Sequence, residues 1–195
     1  MSDRVFGFRL EDLWGHNLKL GTLNHVDLEK IEKTVKAMKS DPGNTKRVNR
    51  VEGEWTCHES SGPQFKAELQ LETGRFTLEA DSPSFLGGNG SRPGPLNYCM
   101  FGLASCFAST FMTLAAVERV PIKSARFSAE CNLDFSRTFG LSDNPIMENA
   151  RFKIFVKSDA DIDVLERLSK LSKERCPGIF SLTHKIAVQT ELHKE

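Results

Sequence analysis

The stretch PGPLNYCMFGLASCFASTFMTLAAV, residues 93–117, contains no charged side chain. It opens with Pro-Gly-Pro, and proline is favoured in the first turn of a helix because its missing N–H would have no partner there. The Val120-Pro121 pair follows it, and a residue before proline is biased away from helical backbone. The stretch therefore predicts one long helix, from about residue 96 to residue 118. A helix that is apolar nearly all round belongs either at the centre of a soluble protein or across a membrane.

The composition of the whole chain favours the soluble alternative. The helix also carries Asn97, Ser105, Ser109 and Thr113, and 27% of the 195 residues are charged. The 26 basic residues balance the 26 acidic ones, so no strong field attracts nucleic acid or an anionic membrane. We expect one principal soluble domain, with neither nucleic acid nor a membrane as its partner.

Alternation of apolar and polar side chains predicts β-strands on both sides of the helix. The predicted strands are VEGEWTC (51–57), QFKAELQL (64–71), GRFTLEA (74–80), SARFSAECNLDF (124–135), RFKIFVK (151–157) and LTHKIAVQTEL (182–192). The short turn "TG" between the second and third strands is typical of a hairpin. A strand alternating this way has one wet face, as in an antiparallel sheet. The order βββ-α-ββ-α-β predicts an α+β fold.

Two further helices are predicted. Helical spacing of apolar residues indicates one from His25 to Ser40, within an N-terminal extension of residues 1–45 that precedes a main domain of residues 46–195. Ser158 and Asp161 resemble a capping box at the start of the other, which ends at Cys176 before Pro177 and Gly178.

Five cysteines form no CxxC pair: Cys57, Cys99, Cys106, Cys131 and Cys176. An odd number without such a pair is typical of reduced thiols, and the charged N-terminus does not have the pattern of a signal peptide. We therefore expect a cytoplasmic protein. Cys57 beside His58 has no second pair at ligand spacing, so no metal is expected. Free cysteines are often buried, so Cys106 is either a packing residue or a reactive one.

The segments GGNGSRPGPLNYCMFGLASCFAST (87–110) and ERCPGIF (174–180) together resemble the OsmC/Ohr family of osmotically inducible and organic hydroperoxide resistance proteins, over residues 48–195. The resemblance implies an intertwined homodimer in which sheets from both chains cover two long central helices. It also implies a peroxidase without a cofactor. By motif position, Cys106 would attack an organic hydroperoxide and become a sulfenic acid, Cys176 would resolve it to a disulfide, and an external dithiol would reduce that disulfide.

A reactive Cys106 needs activation, because a free thiol has a pKa near 8.5 and a helix dipole acts only over the first turn. Cys106 lies about three turns beyond Pro95. The activating arginine and glutamate of the family peroxidases have no match here, since Leu96 and Asn97 follow Pro95 and HESSGPQFK (58–66) contains no arginine. The candidate substitute cations are Arg92, Arg75, Arg50 and His58. Asn97 is a candidate hydrogen-bond donor to the sulfur or to a ligand, and Phe107 is a candidate pocket-lining residue.

Three functions are therefore compared. The first is a thiol-dependent peroxidase that uses Cys106 and Cys176 on organic hydroperoxides. The second is a non-enzymatic protein of the same fold that binds an apolar small molecule or acyl group at a dimer interface. The third is an interaction scaffold whose N-terminal extension binds a partner.

Overall fold

The computed structural model describes residues 21–58 and 61–194, together with the backbone of residues 4–5 and 8–9. Within these residues the chain forms nine β-strands and four α-helices. In chain order they are β1 (Arg4–Val5), β2 (Phe8–Arg9), β3 (Thr22–Leu23), β4 (Val26–Asp27), α1 (Leu28–Ser40), β5 (Gly53–Trp55), β6 (Phe65–Leu71), β7 (Gly74–Ala80), α2 (Pro95–Val117), β8 (Ser124–Leu133), β9 (Met147–Lys157), α3 (Ile162–Arg175) and α4 (Pro177–Thr183). The predicted α+β class, with antiparallel sheets and one long helix, is confirmed.

The chain divides into two compact units. The small unit contains residues 35–101, and the large unit contains residues 1–34 and 102–195. The division falls within α1 and within α2.

The small unit contains the first three predicted strands. Its three strands are antiparallel in the order β5-β6-β7, and β6 and β7 pair from Phe65↔Ala80 to Leu71↔Gly74. The loop that follows β7 is fixed by the buried carboxylate of Asp81. That carboxylate accepts hydrogen bonds from the backbone N–H of Asn89 (3.2 Å) and from the N–H and hydroxyl of Ser91 (2.8 and 2.9 Å).

The large unit has its core where α2, α3 and the β8–β9 hairpin meet. Phe111, Leu114 and Ala115 of α2 are buried together with Leu168 of α3, and Phe127 of β8 packs against them. The alternation that predicted β8 is confirmed, and β8 pairs with β9 from Ser124↔Lys157 onward. Truncating a phenylalanine as buried as Phe111 costs about 3–5 kcal/mol, so this packing is a major source of stability.

An ion pair joins the end of α2 to α3. Arg167 donates two hydrogen bonds to the carboxylate of Glu118, one of them at 2.8 Å. The Glu118 side chain is 5% exposed, so this carboxylate depends on the guanidinium for its compensation.

The hairpin β3–β4 also packs onto the end of α2. Asn24 and His25 form its turn with positive φ angles, and Asn24 is among the residues that tolerate such backbone. The Asn24 side chain donates to the carbonyl of Val120 at 2.9 Å and accepts from the N–H of Ile122 at 2.8 Å. Leu28, the first residue of α1, is fully buried. The helix predicted in the N-terminal extension is confirmed, and its first turn contributes to the core of the large unit.

The start of α3 differs from the predicted capping box. The helix begins at Ile162 after Asp161, and the Asp161 side chain makes no capping hydrogen bond. Ser158 is used elsewhere, because its hydroxyl donates to the carbonyl of Pro121 at 2.7 Å and accepts from the N–H of Ala160 at 3.2 Å.

The predicted last strand, residues 182–192, is wrong for the single chain. Leu182 and Thr183 end α4, and residues 185–194 adopt no regular secondary structure. Ile186, Val188 and Leu192 are 61%, 84% and 97% exposed. A strand needs a neighbouring strand for its hydrogen bonds, and residues 185–194 pair with none in the described part of the chain.

By length and composition, α2 is apolar enough to cross a membrane. The central helix of a soluble protein passes the same test. Phe107, Phe111 and Leu114 are buried against the other elements of the large unit, so the helix shows no clear membrane-protein character.

Candidate active site

Cys106 is positioned by the part of α2 that packs into the large unit. Its neighbour Phe107 is 4% exposed and lies edge-on to Phe152 and Phe127, with ring centroids 5.5 and 6.3 Å away. This packing fixes the rotation of α2 about its axis. Cys106 is thereby half-buried at the edge of the same cluster.

Cys176 lies at the junction of α3 and α4. Its N–H donates to the carbonyl of Ser172 at 2.9 Å, which closes α3, and its carbonyl accepts from the N–H of Phe180 at 2.8 Å, which opens α4. Pro177 forces the preceding residue into extended backbone, and Cys176 has φ −68° and ψ 118°. The side chain is fully buried.

The fold brings the two thiols together. Cys106 packs against the buried cluster of Phe107, Cys176 and Ile179, and the Cys176 thiol is close enough to raise the pKa of the Cys106 thiol. Both cysteines are in the free thiol form. The two side chains are 70 positions apart in sequence. Their contact therefore depends on the packing of α3 and α4 onto α2.

The surroundings of Cys106 favour its protonated form. Burial raises the pKa of the Cys106 thiol, and the neighbouring Cys176 thiol raises it further. A hydrogen bond from the backbone N–H of Gly178 acts in the opposite direction, but the pKa remains above its ordinary value. A cysteine reacts as the thiolate, so at neutral pH this chain holds Cys106 mainly in its less reactive form.

The candidate activating residues all lie in the small unit. Arg92 forms an ion pair with Glu79 at 2.6 Å, Arg75 one with Glu68 at 3.5 Å, and Arg50 one with Glu52 at 2.6 Å. The side chains of Arg75 and Arg50 are 73% and 76% exposed, whereas that of Arg92 is 44% exposed. The pKa of Arg92 is raised, first by its hydrogen bond to Glu79. Arg92 is thus the most firmly held of the three.

Asn97 has a structural task at the start of α2. Its side-chain oxygen accepts a hydrogen bond from the N–H of Gly94 at 3.0 Å. This is the reciprocal half of a capping box, in which the third helical residue reaches back to the residue before the helix. The oxygen of Asn97 is therefore occupied by the backbone.

A cleft of about 780 Å³ lies in the large unit between β9, α3 and α4. Phe107, Phe152, Ile179 and Leu182 contribute its apolar lining, and α3 adds charged residues such as Lys170. Phe107 and Ile179 also pack against the cysteines, so the cleft and the thiol pair share one wall. Within residues 21–58 and 61–194, no three histidine, cysteine, aspartate or glutamate side chains gather as metal ligands do.

The helix α4 and the role of residue 178 were missed from the sequence. The signal was present, because proline is enriched at the first position of a helix as well as after its end, and Pro177 does both here. Gly178 was interpreted only as part of a helix stop. No local pattern indicates that its backbone contacts Cys106.

Together, the fold and the thiol pair define a class of α+β protein in which a long apolar helix and a later interhelical turn each supply one cysteine. The model of the family described as OsmC-like protein matches residues 88–191, more than half of the chain. The chain therefore belongs to the OsmC-like family.

Solved structures of this family share the fold. The OsmC-like protein from Mycoplasma pneumoniae is 17% identical, with a TM-score of 0.52 over 71% of this chain and 89% of that one. The organic hydroperoxide resistance protein OsmC from Legionella pneumophila is 17% identical, with a TM-score of 0.51 over 70% of this chain and 91% of that one. No curated protein matches the chain.

Proposed function

We propose that this protein is a thiol-dependent peroxidase that reduces organic hydroperoxides with Cys106 and Cys176. The observation that carries the proposal is the contact between these two thiols, which the fold assembles from distant parts of the chain. Membership of the OsmC-like family supports it, as does the likeness to a protein known as an organic hydroperoxide resistance protein.

The reaction proceeds in three balanced steps. The Cys106 thiolate attacks the terminal oxygen of the hydroperoxide, a sulfur–oxygen bond forms, and the oxygen–oxygen bond breaks to release an alkoxide that takes up a proton. Cys176 then attacks the sulfenic acid, which forms the disulfide and releases water. An external dithiol reduces the disulfide by exchange and becomes a disulfide itself. No cofactor takes part in these steps.

Activation of Cys106 is the demanding part of this mechanism, because burial raises the pKa of its thiol. An opposite charge near a thiol favours the thiolate. The candidate cations Arg92, Arg75 and Arg50 are tested singly by Arg→Gln substitution, and an activating cation is expected to account for about tenfold in kcat/KM, the effect of one pKa unit.

The substrate class follows from the residues beside Cys106. Phe107 and Ile179 are buried and apolar, and the adjoining cleft is lined by further apolar side chains. Such a wall favours a hydroperoxide with a bulky organic group over hydrogen peroxide. Substrate preference is measured as the ratio of kcat/KM for cumene hydroperoxide to that for hydrogen peroxide, and Phe107→Ala is expected to reduce it.

The protein acts as a homodimer in this proposal. In the most apolar 18-residue segment of α2, only 33% is buried within the chain. Phe101 on this helix is 71% exposed. Large exposed apolar surfaces are typical of interfaces. Phe101→Asp is expected to yield monomers in analytical ultracentrifugation, whereas Phe139→Asp, at a 56% exposed loop residue, leaves the dimer intact.

Five free thiols are consistent with the reducing cytoplasm as the compartment.

The central experiment measures hydroperoxide consumption by the purified protein with cumene hydroperoxide and dithiothreitol. Cys106→Ser is expected to reduce the rate to that of the buffer, while Cys99→Ser, at an exposed thiol of the small unit, keeps the wild-type rate. Cys176→Ser is expected to accumulate the Cys106 sulfenic acid, detected by dimedone labelling and mass spectrometry. Wild-type turnover by Cys106→Ser would contradict the proposal.

A second candidate function is non-enzymatic binding of an apolar molecule, and the cleft in the large unit favours it. Its volume of about 780 Å³ lies within the range of about 300–1,000 Å³ that ligand sites occupy. Titration with 1-anilinonaphthalene-8-sulfonate, with a long-chain acyl compound as competitor, tests this function. Competitive binding that Phe152→Trp abolishes, in a protein that consumes no hydroperoxide, would favour binding over catalysis.

A further inference from the structure

A groove runs along α3, where this helix faces strand β9. The cleft of about 780 Å³ is one part of this groove, and a second hollow of about 340 Å³ is the other. Phe152, Glu166 and Ser169 line both parts, so the two adjoin each other within the large unit. The groove follows α3 from Ile162 to Lys173, and a rise of 1.5 Å per residue makes this length about 16 Å.

The polarity of the groove changes along the helix. Near the start of α3 its walls are apolar, with Ile162 and Leu165 on the helix and Val156 on β9. Near the end of α3 the same face of the helix carries Lys170 and Lys173. Ile162 is 66% exposed, and burying such an apolar side chain against a ligand is favourable. The groove therefore has one apolar end and one basic end.

The two lysines at the basic end have unneutralised charges. The neighbouring cation of the lining, Arg151, is already paired with Glu130 at 3.2 Å. Lys170 and Lys173, by contrast, form an ion pair with no residue in the ranges 21–58 and 61–194. Two positive charges one turn apart on one helix face repel each other, so an anion between them is stabilising.

We propose that this groove binds a long-chain fatty acid, with the carboxylate between Lys170 and Lys173 and the hydrocarbon chain extended toward Ile162. Charge complementarity assigns the headgroup to the basic end. The length of the groove fits the chain, because one acyl chain spans about half of the roughly 30 Å hydrocarbon core of a bilayer. Glu166 lies on the same face one turn before Lys170, and its charge favours a ligand carboxylate that lies beyond it, at the lysines.

The inference deepens the second candidate function, because it fixes the charge, the direction and the length of the bound molecule. It does not depend on the peroxidase proposal, since binding requires no chemistry at the thiols. The bound chain would nevertheless lie close to them, because Phe107 and Ile179 line the groove and also pack against Cys106 and Cys176.

The test is equilibrium dialysis of the full-length protein against carbon-14-labelled myristate below its micelle concentration, with its methyl ester as the uncharged analogue. The double variant Lys170→Gln/Lys173→Gln is expected to weaken myristate binding about tenfold and to leave ester binding within about twofold. The matched control, Lys157→Gln/Lys194→Gln, removes two exposed charges outside the lining and is expected to change neither. Lys170→Arg/Lys173→Arg keeps both charges and is expected to retain myristate binding.

The direction of the chain is tested at the apolar end. Ile162→Asp places a carboxylate where the end of a long chain would lie, and the exposure of this residue means that the fold tolerates the change. Myristate binding is expected to weaken about tenfold in this variant. Binding of labelled octanoate, whose shorter chain ends before residue 162, is expected to stay within about twofold of the wild type. Equal losses for the two acids would overturn the proposed direction.

Equal binding of myristate and its methyl ester, unaffected by the lysine substitutions, would overturn the carboxylate site and leave apolar binding as a function. If the wild type binds no myristate and hydrogen exchange in α3 slows as the protein concentration rises, a second copy covers the groove and the inference is overturned. Consumption of cumene hydroperoxide by the same samples reports separately on the peroxidase proposal, because this substrate carries no carboxylate. Circular dichroism of every variant confirms that a loss of binding is not a loss of fold.

Discussion

Two irregular segments adjoin helices of this protein, and each is built around one buried side chain. The loop before α2 surrounds Asp81, which is 1% exposed, and the turn between α3 and α4 surrounds Cys176, which is 0% exposed. Asp81 organises its loop through hydrogen bonds from Asn89 and Ser91 to its carboxylate. Cys176 is fixed by its backbone and by apolar packing with Phe107 and Ile179.

The two segments have opposite requirements for protonation. The N–H of Ser91 lowers the pKa of Asp81, so this carboxylate contributes in its charged form. Burial raises the pKa of Cys106 beside Cys176, so the thiol cluster is stable in its neutral form. The Asp81 loop is thus stabilised by a charged group that accepts hydrogen bonds. The thiol cluster is stabilised by apolar packing of groups that remain uncharged. Only the second arrangement leaves a group that would have to lose a proton before it could react.

The largest effect is expected from Asp81→Ala. The variant removes the buried carboxylate that accepts the hydrogen bonds from the N–H groups of Asn89 and Ser91, and with it the contacts that fix this loop. We expect the Tm to fall by about 10 °C in differential scanning calorimetry. Asp81→Asn keeps one acceptor oxygen and is expected to lose less, and equal Tm values for the alanine variant and the wild type would refute the role of this carboxylate.

Ile179→Ala tests the apolar packing of the thiol turn. Ile179 is 6% exposed and contacts the cysteine cluster, so its truncation is expected to cost about 2–3 kcal/mol of unfolding free energy in urea. Phe180→Ala, at a neighbouring residue that is 50% exposed, is expected to cost about 1 kcal/mol or less. Similar losses in the two variants would mean that packing does not hold this turn.

Acid is expected to weaken the Asp81 loop. Because the folded-state pKa of Asp81 is lowered, its contribution is present above the unfolded pKa of about 3.9 and is lost as the pH falls through the folded value. Hydrogen exchange at Asn89 and Ser91 reports the opening. Asp81→Asn is expected to remove this part of the pH dependence. If exchange at low pH accelerates in the variant as it does in the wild type, the Asp81 carboxylate is not the group that titrates.

Alkali is expected to produce the smallest effect, at the thiol cluster. The raised pKa of Cys106 means that its contribution is full below the unfolded thiol pKa of about 8.5 and is lost as the pH rises through the folded value. Unfolding free energies measured between pH 7 and pH 10 should decline less in Cys106→Ser than in the wild type. Parallel curves for the two proteins would argue against a raised pKa.

Local patterns in the sequence predicted much of the fold. The chargeless run predicted α2 to within one residue at each end, and strict alternation predicted β8, because periodicity directly records which face is buried. Alternation in residues 182–192, which places Leu182, Ile186 and Val188 on one face, did not produce a strand. The pattern reports a face that can be buried and contains no information about a partner strand.

The candidate site was less accessible to sequence reasoning. The family motifs singled out Cys106 and Cys176, and the fold brings these thiols together, although the motifs alone did not establish the contact. The hydrogen bonds of Asp81 and the proximity of Gly178 to Cys106 arise only after folding, and neither carries a local signature. Asn97 was a candidate donor through its amide nitrogen, and that role stays a prediction, while its side-chain oxygen caps the start of α2.

The double use of Cys176 at the end of one helix and the start of the next has a consequence for entropy. With its N–H and its carbonyl engaged in different helices, the residue keeps only the rotation about χ1 as a degree of freedom. In the proposed reaction little motion would remain to be lost when its sulfur bonds to that of Cys106, so the effective concentration of this thiol at Cys106 would be high. Removing either helical hydrogen bond would lower that concentration without altering a single sulfur atom.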